Sequence, residues 1–215
     1  MMQLADSSFP TGGFAHSAGL EAAVALGEVR TAEKFDAHVR AYLWNVGHAS
    51  LPFVAAAHEK AGEVWEVDAL LDAMLTSHVT NRASRTQGRT FLATCARVFD
   101  EDAIQRLASS AGERARASHL APVFGATLRA VGIERRETLA IALYAALRSV
   151  ASAAIRLGVV GPHEAQRLVV RHGATMDDVL AACEALGVRD AATVSPLIDI
   201  FGATHDRLYA RLFQS

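Results

Sequence analysis

The chain has 215 residues, a formal net charge of −2 and two cysteines. That length supports one large core without disulfide or metal staples, and the near-neutral balance excludes the strongly basic face of an extended nucleic-acid binder. Cys95 and Cys183 stand far apart in apolar surroundings and read as reduced core thiols.

Taken in chain order, the punctuation is helical throughout. Ser17 is expected to cap a first helix containing Leu20, Val24 and Leu26. Thr31 caps a second, with Phe35, Val39, Leu43 and Val46 recurring at spacings of four and three before Gly47 stops it. Pro52 opens a third. A fourth runs from Val64 to about Ser77, with Leu70, Leu71, Met74 and Leu75 on its inner side. The segment 79–99 reads as a fifth, turning Val79, Ala83, Phe91 and Val98 inward, and 104–111 as a shorter sixth.

Ser118 is expected to cap the next helix, which holds Val123, Leu128 and Val131 and ends at Gly132. From Glu134 the apolar positions Leu139, Leu143, Ala146, Val150, Ala153 and Leu157 follow a 3.5-residue repeat, the mark of a helix packed lengthwise between others. Gly158 closes it. Within this run, residues 138–155 carry one charge, Arg148, but alanine and serine dominate. A helix buried in a bundle is expected there, not a membrane span. Pro162 suits a first helical turn, Thr175 and Asp178 form a capping box closed by Gly187, and Ser195-Pro196 opens the last helix. That helix would carry Leu197, Phe201, Leu208 and Leu212 on one face. The expectation is an all-α fold: one domain over 1–215, about nine or ten helices, and a central buried helix near 134–158.

Several chemistries lack their motifs. There is no G-x-x-x-x-G-K-[ST], so the chain is not expected to be a P-loop nucleotidase; H-E-x-x-H and C-x-x-C are missing too. No secretory leader pattern opens the chain, which points to a cytoplasmic protein. Only two of the 21 basic residues, Lys34 and Lys60, are lysines. Arginine favours planar contacts with carboxylates, so the bias leans towards protein interfaces, though genomic composition would produce it as well.

Two stretches stand out. The first is Ser8-Phe9-Pro10-Thr11-Gly12-Gly13-Phe14-Ala15-His16-Ser17-Ala18-Gly19-Leu20-Glu21. Proline and paired glycines shape a loop that leads into a helix. Its Ala15-His16-Ser17-Ala18-Gly19 is close to a nucleophile elbow, but that motif needs a preceding central strand, which Pro10 disfavours. The second is Arg82-Ala83-Ser84-Arg85-Thr86-Gln87-Gly88-Arg89. On a helix, Arg82, Arg85 and Arg89 fall within an arc of roughly 60°. Such a stripe is either a solvated face or a contact for carboxylates. Gly88, costly in mid-helix, marks the close approach of another backbone.

Both stretches resemble motifs of the urease accessory protein UreF family. The first matches through Pro10, Gly12, Gly13, Phe14, Ser17, Gly19, Leu20 and Glu21, with His16 where many members have tyrosine; the second is similar to a helix-borne segment. Weaker echoes lie at Ala121-Pro122-Val123-Phe124-Gly125, and from Arg156-Leu157-Gly158 to Gln166-Arg167-Leu168. The resemblance implies an all-helical homodimeric scaffold without a cofactor or metal site of its own. It would bind UreD (also called UreH) and the GTPase UreG and regulate nickel delivery to apo-urease, with no nucleic-acid or membrane partner. On that reading Pro10, Gly12, Gly13, His16, Ser17 and Glu21 form a recognition element. Arg82, Arg85, Gln87 and Arg89 meet the GTPase or line a dimer groove, and Tyr209, Leu212 and Phe213 on the last helix dock on UreD. The rivals are a serine hydrolase using Ser17, a metal-dependent bundle enzyme and a helical adaptor unrelated to urease.

Overall fold

The computed structural model describes residues 3, 9, 13–113 and 116–215. Pro10 and Gly12 lie outside the described residues. The chain runs through α1 (Leu20–Ala25), α2 (Ala32–Ala49), α3 (Leu51–Glu59), α4 (Val64–Met74), α5 (His78–Val98) and α6 (Asp102–Glu113). It continues through α7 (Leu120–Ala130), α8 (Arg135–Arg156), α9 (Pro162–Arg171), α10 (Gly173–Cys183) and α11 (Pro196–Thr204). These eleven helices, with three short 3-10 turns, are the regular structure among the described residues, and no strand occurs there. The fold is all-α.

α8 lies against α2, α3, α9 and α10. Leu139, Leu143, Leu147 and Ala154 on its inner face are wholly buried. Each buried leucine contributes about 2 kcal/mol relative to an exposed one. α8 is also the one helix among the described residues long and apolar enough to cross a membrane, yet less than half of its apolar window is buried. α3 and α7 meet most intimately: a Cβ on Gly125 would stand 2.1 Å from the Val54 carbonyl oxygen. Only a residue without a side chain admits backbones at that distance.

Several boundaries differ from the sequence reading, each for a packing reason. α2 continues past Gly47 to Ala49, because Gly47 is where α10 docks, its Cα facing Val179 and Cys183. Leu70 and Val98 are exposed, whereas Leu71 and Phe91 on the same helices are buried. Thr175 is inside α10 and pairs with the His172 ring at 3.2 Å instead of opening a capping box. α11 stops at Thr204; a 3-10 turn at His205–Arg207 follows, so Leu208, Tyr209, Leu212 and Phe213 belong to an irregular tail, not to the last helix.

Candidate functional site

The N-terminal motif is a receptor for the chain's own C-terminal tail. Gly19, with φ of +83°, takes a conformation open to glycine, and a Cβ there would meet the Gly202 nitrogen at 3.0 Å and the Ile198 oxygen at 3.2 Å. α11 can therefore lie directly on the start of α1. Two residues on, the buried Glu21 carboxylate accepts from the Leu212 N–H at 2.5 Å and the Phe213 N–H at 3.2 Å. His205 Nε2 lies 2.7 Å from the same carboxylate. The Gln214 N–H donates to the Ala15 oxygen, and the Ser17 N–H and Oγ both donate to the Ser215 oxygen, at 2.5 and 3.1 Å. His16 Nδ1 stands 2.5 Å from Ser215 Oγ. Burial, followed by the charges of His205 and Arg82, pushes the His16 imidazole down to about 4.

Ser17 thus does not cap α1. Gly19 holds that place. Wholly buried and committed to Ser215, the Ser17 hydroxyl is closed to any substrate, which removes the nucleophile reading.

The second motif is also a receptor, for the start of α7. A Cβ on Gly88 would sit 1.9 Å from the Ser118 oxygen, so the chain at 118–120 rests on the bare backbone of α5. The Asp68 carboxylate accepts from the N–H groups of Ser118 and His119 at 2.9 and 2.7 Å. An anion there satisfies orphan donors at a helix N-terminus and complements its dipole. Ser118 is therefore not the cap; it takes a left-handed φ of 59° and His119 stands at the N-cap. Ser84 Oγ accepts from the Leu120 N–H at 3.4 Å and lies 3.1 Å from His119 Nδ1. His119 Nε2 in turn meets Asp72 Oδ1 at 2.9 Å. Serine, histidine and aspartate in a row have the composition of a hydrolytic relay. Here His119 is wholly buried and Ser84 is occupied by the α7 backbone, so the row is a capping network. Hydrogen bonds from Asn81 and His119, and the charge of Arg85, hold the Asp72 carboxyl below the usual range.

On the outer side of α5 the arginines border a groove of about 560 Å³, which Leu75, Thr76 and Asn81 also line. Arg82 donates through Nη2 to both Asp206 oxygens, at 3.0 and 3.1 Å, and Arg211 and His78 reach the same carboxylate at 3.1 and 3.2 Å. Burial alone would raise the Asp206 carboxyl; the hydrogen bonds from Arg82 and His78 and the charges of Arg82 and Arg211 outweigh it and leave the group below its ordinary value. Arg85 and Arg89 make no ion pair or hydrogen bond among the described residues. Gln87 falls on the far side of α5 and does not line the groove. Tyr209 is fully exposed, whereas Phe213 is buried, its ring 4.1 Å from the Arg156 guanidinium. Gly13 opens a 3-10 turn at Gly13–Ala15.

The structure thus brings His16, Ser17, Glu21 and Phe213 into one buried cluster, with Arg82, Arg85 and Arg89 on the groove nearby. Asp206, His205, Asp68 and His119 were missed by sequence reasoning, and no local pattern could have found them. Their partners in these two clusters lie between 35 and 184 residues away in the chain. Among the described residues, no three His, Cys, Asp or Glu side chains gather in a way that could hold a metal ion.

The family model UreF matches residues 29–172. The chain is 37% identical to urease accessory protein F of Oryza sativa subsp. japonica, over 98% of this chain and 82% of the rice protein. It is 36% identical to urease accessory protein F of Arabidopsis thaliana, over 99% of this chain and 90% of the relative. With urease accessory protein UreF of Arthrobacter sp. (strain FB24) it shares 31% identity, over 100% of this chain and 96% of the other. A family match over more than half of the chain, and relatives covered almost end to end, leave one conclusion: this chain belongs to the UreF family of urease accessory proteins.

Proposed function

We propose that the chain is a non-catalytic, cytoplasmic scaffold of urease maturation: a homodimer that binds UreD (UreH) and the GTPase UreG and modulates GTP turnover as nickel passes to apo-urease. The observation that carries the reading is the contrast inside the groove. Arg82 is neutralised by Asp206, while Arg89 on the same stripe makes no ion pair among the described residues and Arg85 has only the charge of Asp72 near it, without a direct ion pair. Planar guanidiniums on a rigid helix suit carboxylates presented by a partner. The helix is rigid because Ser84 and Gly88 seat α7 on its other side.

The groove is therefore the GTPase-facing surface, and the wholly exposed Tyr209 supplies an aromatic anchor for UreD. His16, Ser17 and Glu21 act from within by fixing the tail that carries Tyr209. Co-purification with UreD and UreG, read by light scattering, tests this. Combined Arg85→Glu and Arg89→Glu substitution should weaken UreG capture by about 2 kcal/mol or more, roughly thirtyfold, while circular dichroism and UreD capture persist. Unchanged UreG capture would remove the groove from the interface.

A further inference from the structure

The groove on the outer side of α5 has the charge and the donors to hold a ligand of its own. Arg82, Arg85 and Arg89 all line it, and a helix rises about 1.5 Å per residue, so the stripe offers guanidiniums over a length of about 10 Å. With Arg211, four guanidiniums face two carboxylates, Asp72 and Asp206, and two positive charges are left over even with His78 neutral. Arg89 makes no ion pair among the described residues, and Arg85 has only the charge of Asp72 near it. Arg82 binds Asp206 through Nη2 alone, which leaves the Nε and Nη1 donors of its fork for another acceptor. Thr76 and Thr86 add hydroxyls to the lining and Leu75 an apolar side chain. The space, about 560 Å³, is of the size that small molecules occupy.

Positive charge strung along a helix suits an anion that is itself extended. One carboxylate occupies one guanidinium fork and leaves the next unmet. A chain of phosphoryl groups carries its negative charges in line, with acceptor oxygens on every side, and reaches successive guanidiniums a turn apart. We infer that this groove is a site for an oligophosphate chain, inorganic or borne by a nucleoside. Arg85 and Arg89 grip the phosphoryl oxygens, and the open donors of Arg82 complete the row. The site stands on the geometry of the free chain; its consequence rests on the partner-facing reading above. A phosphate chain seated here occupies the arginines that a partner's carboxylates need, so it competes with capture of the GTPase.

The test is calorimetric titration of the full chain, at low salt and without divalent cations, with inorganic tripolyphosphate, GTP, inorganic phosphate and pentaglutamate. Tripolyphosphate should bind roughly tenfold or more tightly than inorganic phosphate or pentaglutamate. Combined Arg85→Gln and Arg89→Gln should weaken it roughly thirtyfold, with circular dichroism unchanged. Arg89→Gln alone, at an exposed position, should weaken it roughly fivefold and guards against a folding defect in the double variant. GTP as tight as tripolyphosphate, or tighter, assigns the site to nucleotides; GTP roughly tenfold weaker assigns it to inorganic chains. Pentaglutamate as tight as tripolyphosphate would overturn the inference, as would tripolyphosphate binding that the glutamine variants leave unchanged. Capture of UreG is read separately. A wild-type chain that captures UreG through Arg85 and Arg89 but ignores tripolyphosphate overturns the phosphate site alone. Tripolyphosphate binding without any such capture keeps the site and removes the GTPase from the groove.

Discussion

Replacing Gly88 by alanine separates two physical accounts that predict opposite signs. By helix propensity alone, Gly88→Ala in the middle of α5 should stabilise the protein by about 1 kcal/mol. The packing says otherwise. The new methyl carbon would stand 1.9 Å from the Ser118 oxygen and 2.7 Å from the His119 carbonyl carbon and the Leu120 nitrogen. Ordinary contact begins near 3.4 Å, so the corner at 118–120 must retreat by about 1.5 Å. It cannot do so freely, because Asp68 holds the Ser118 and His119 N–H groups at 2.9 and 2.7 Å.

Overpacking of this kind costs about 1–3 kcal/mol, and weakening a charge-assisted pair adds about 1.5–3 kcal/mol. After the propensity gain, the net loss should be about 1.5–5 kcal/mol. Urea unfolding of wild type and variant, compared at unchanged m-value, measures it directly. A variant equal to wild type or more stable would show that the close seating of α7 on α5 is wrong, and with it the reason the arginine stripe is rigid.

Other outcomes follow from the buried polar groups. Glu21→Gln keeps the shape but removes the charge that receives Leu212, Phe213 and His205; it should cost about 2–4 kcal/mol and raise amide exchange at Leu212 and Phe213 well above wild type. Protection that stays at wild-type level would mean the tail is held by packing alone. Burial pushes the His38 imidazole down from 6.5 to about 4. The unfolded chain therefore takes up this proton at a higher pH than the folded one, and as pH drops from about 6.5 to about 4 His38 takes about 3 kcal/mol from the stability, beside the share of His16 in the same window. His38→Leu should flatten the acid limb of the stability curve in that window; an unaltered limb would show that His38 is not its source.

Local periodicity carried much of the architecture. The spacing of Phe35, Val39 and Leu43, and that of Leu139, Leu143 and Val150, identified the buried faces of α2 and α8, because a helix repeats its contacts every three or four residues. Ends were harder. Gly47 and Ser118 looked like a stop and a cap by residue type, but Gly47 serves the docking of α10 and Ser118 is a left-handed corner set by Asp68, fifty residues earlier. The last helix was read too long for a similar reason: Leu208 and Leu212 have the right spacing, yet Glu21 draws the chain at 212–213 out of helical hydrogen bonding. Of the groove, the three arginines were legible on one stripe. Asp206, which pairs with Arg82 and so sets it apart from Arg85 and Arg89, was not, because nothing local ties residue 206 to residue 82.

Each distinctive stretch therefore does two jobs on one short segment, and this bears on how binding data must be interpreted. Glu21 holds His205, whose neighbour Asp206 holds Arg82 and Arg211 at the groove. Disturbing Glu21 moves the carboxylate that pairs with Arg82 at the groove, although Glu21 itself is buried and offers no surface to a partner. Ser84 and Gly88 likewise fix the attitude of Arg85 and Arg89 from the opposite side of α5. A partner lost on substitution of Glu21, Ser84 or Gly88 reports altered support, and such variants should lose stability together with affinity. Arg89 is exposed and makes no ion pair among the described residues, so its substitution should lower affinity at constant stability. Parallel unfolding and capture measurements on Gly88→Ala and Arg89→Glu therefore distinguish the residues that touch the partner from those that hold them in place.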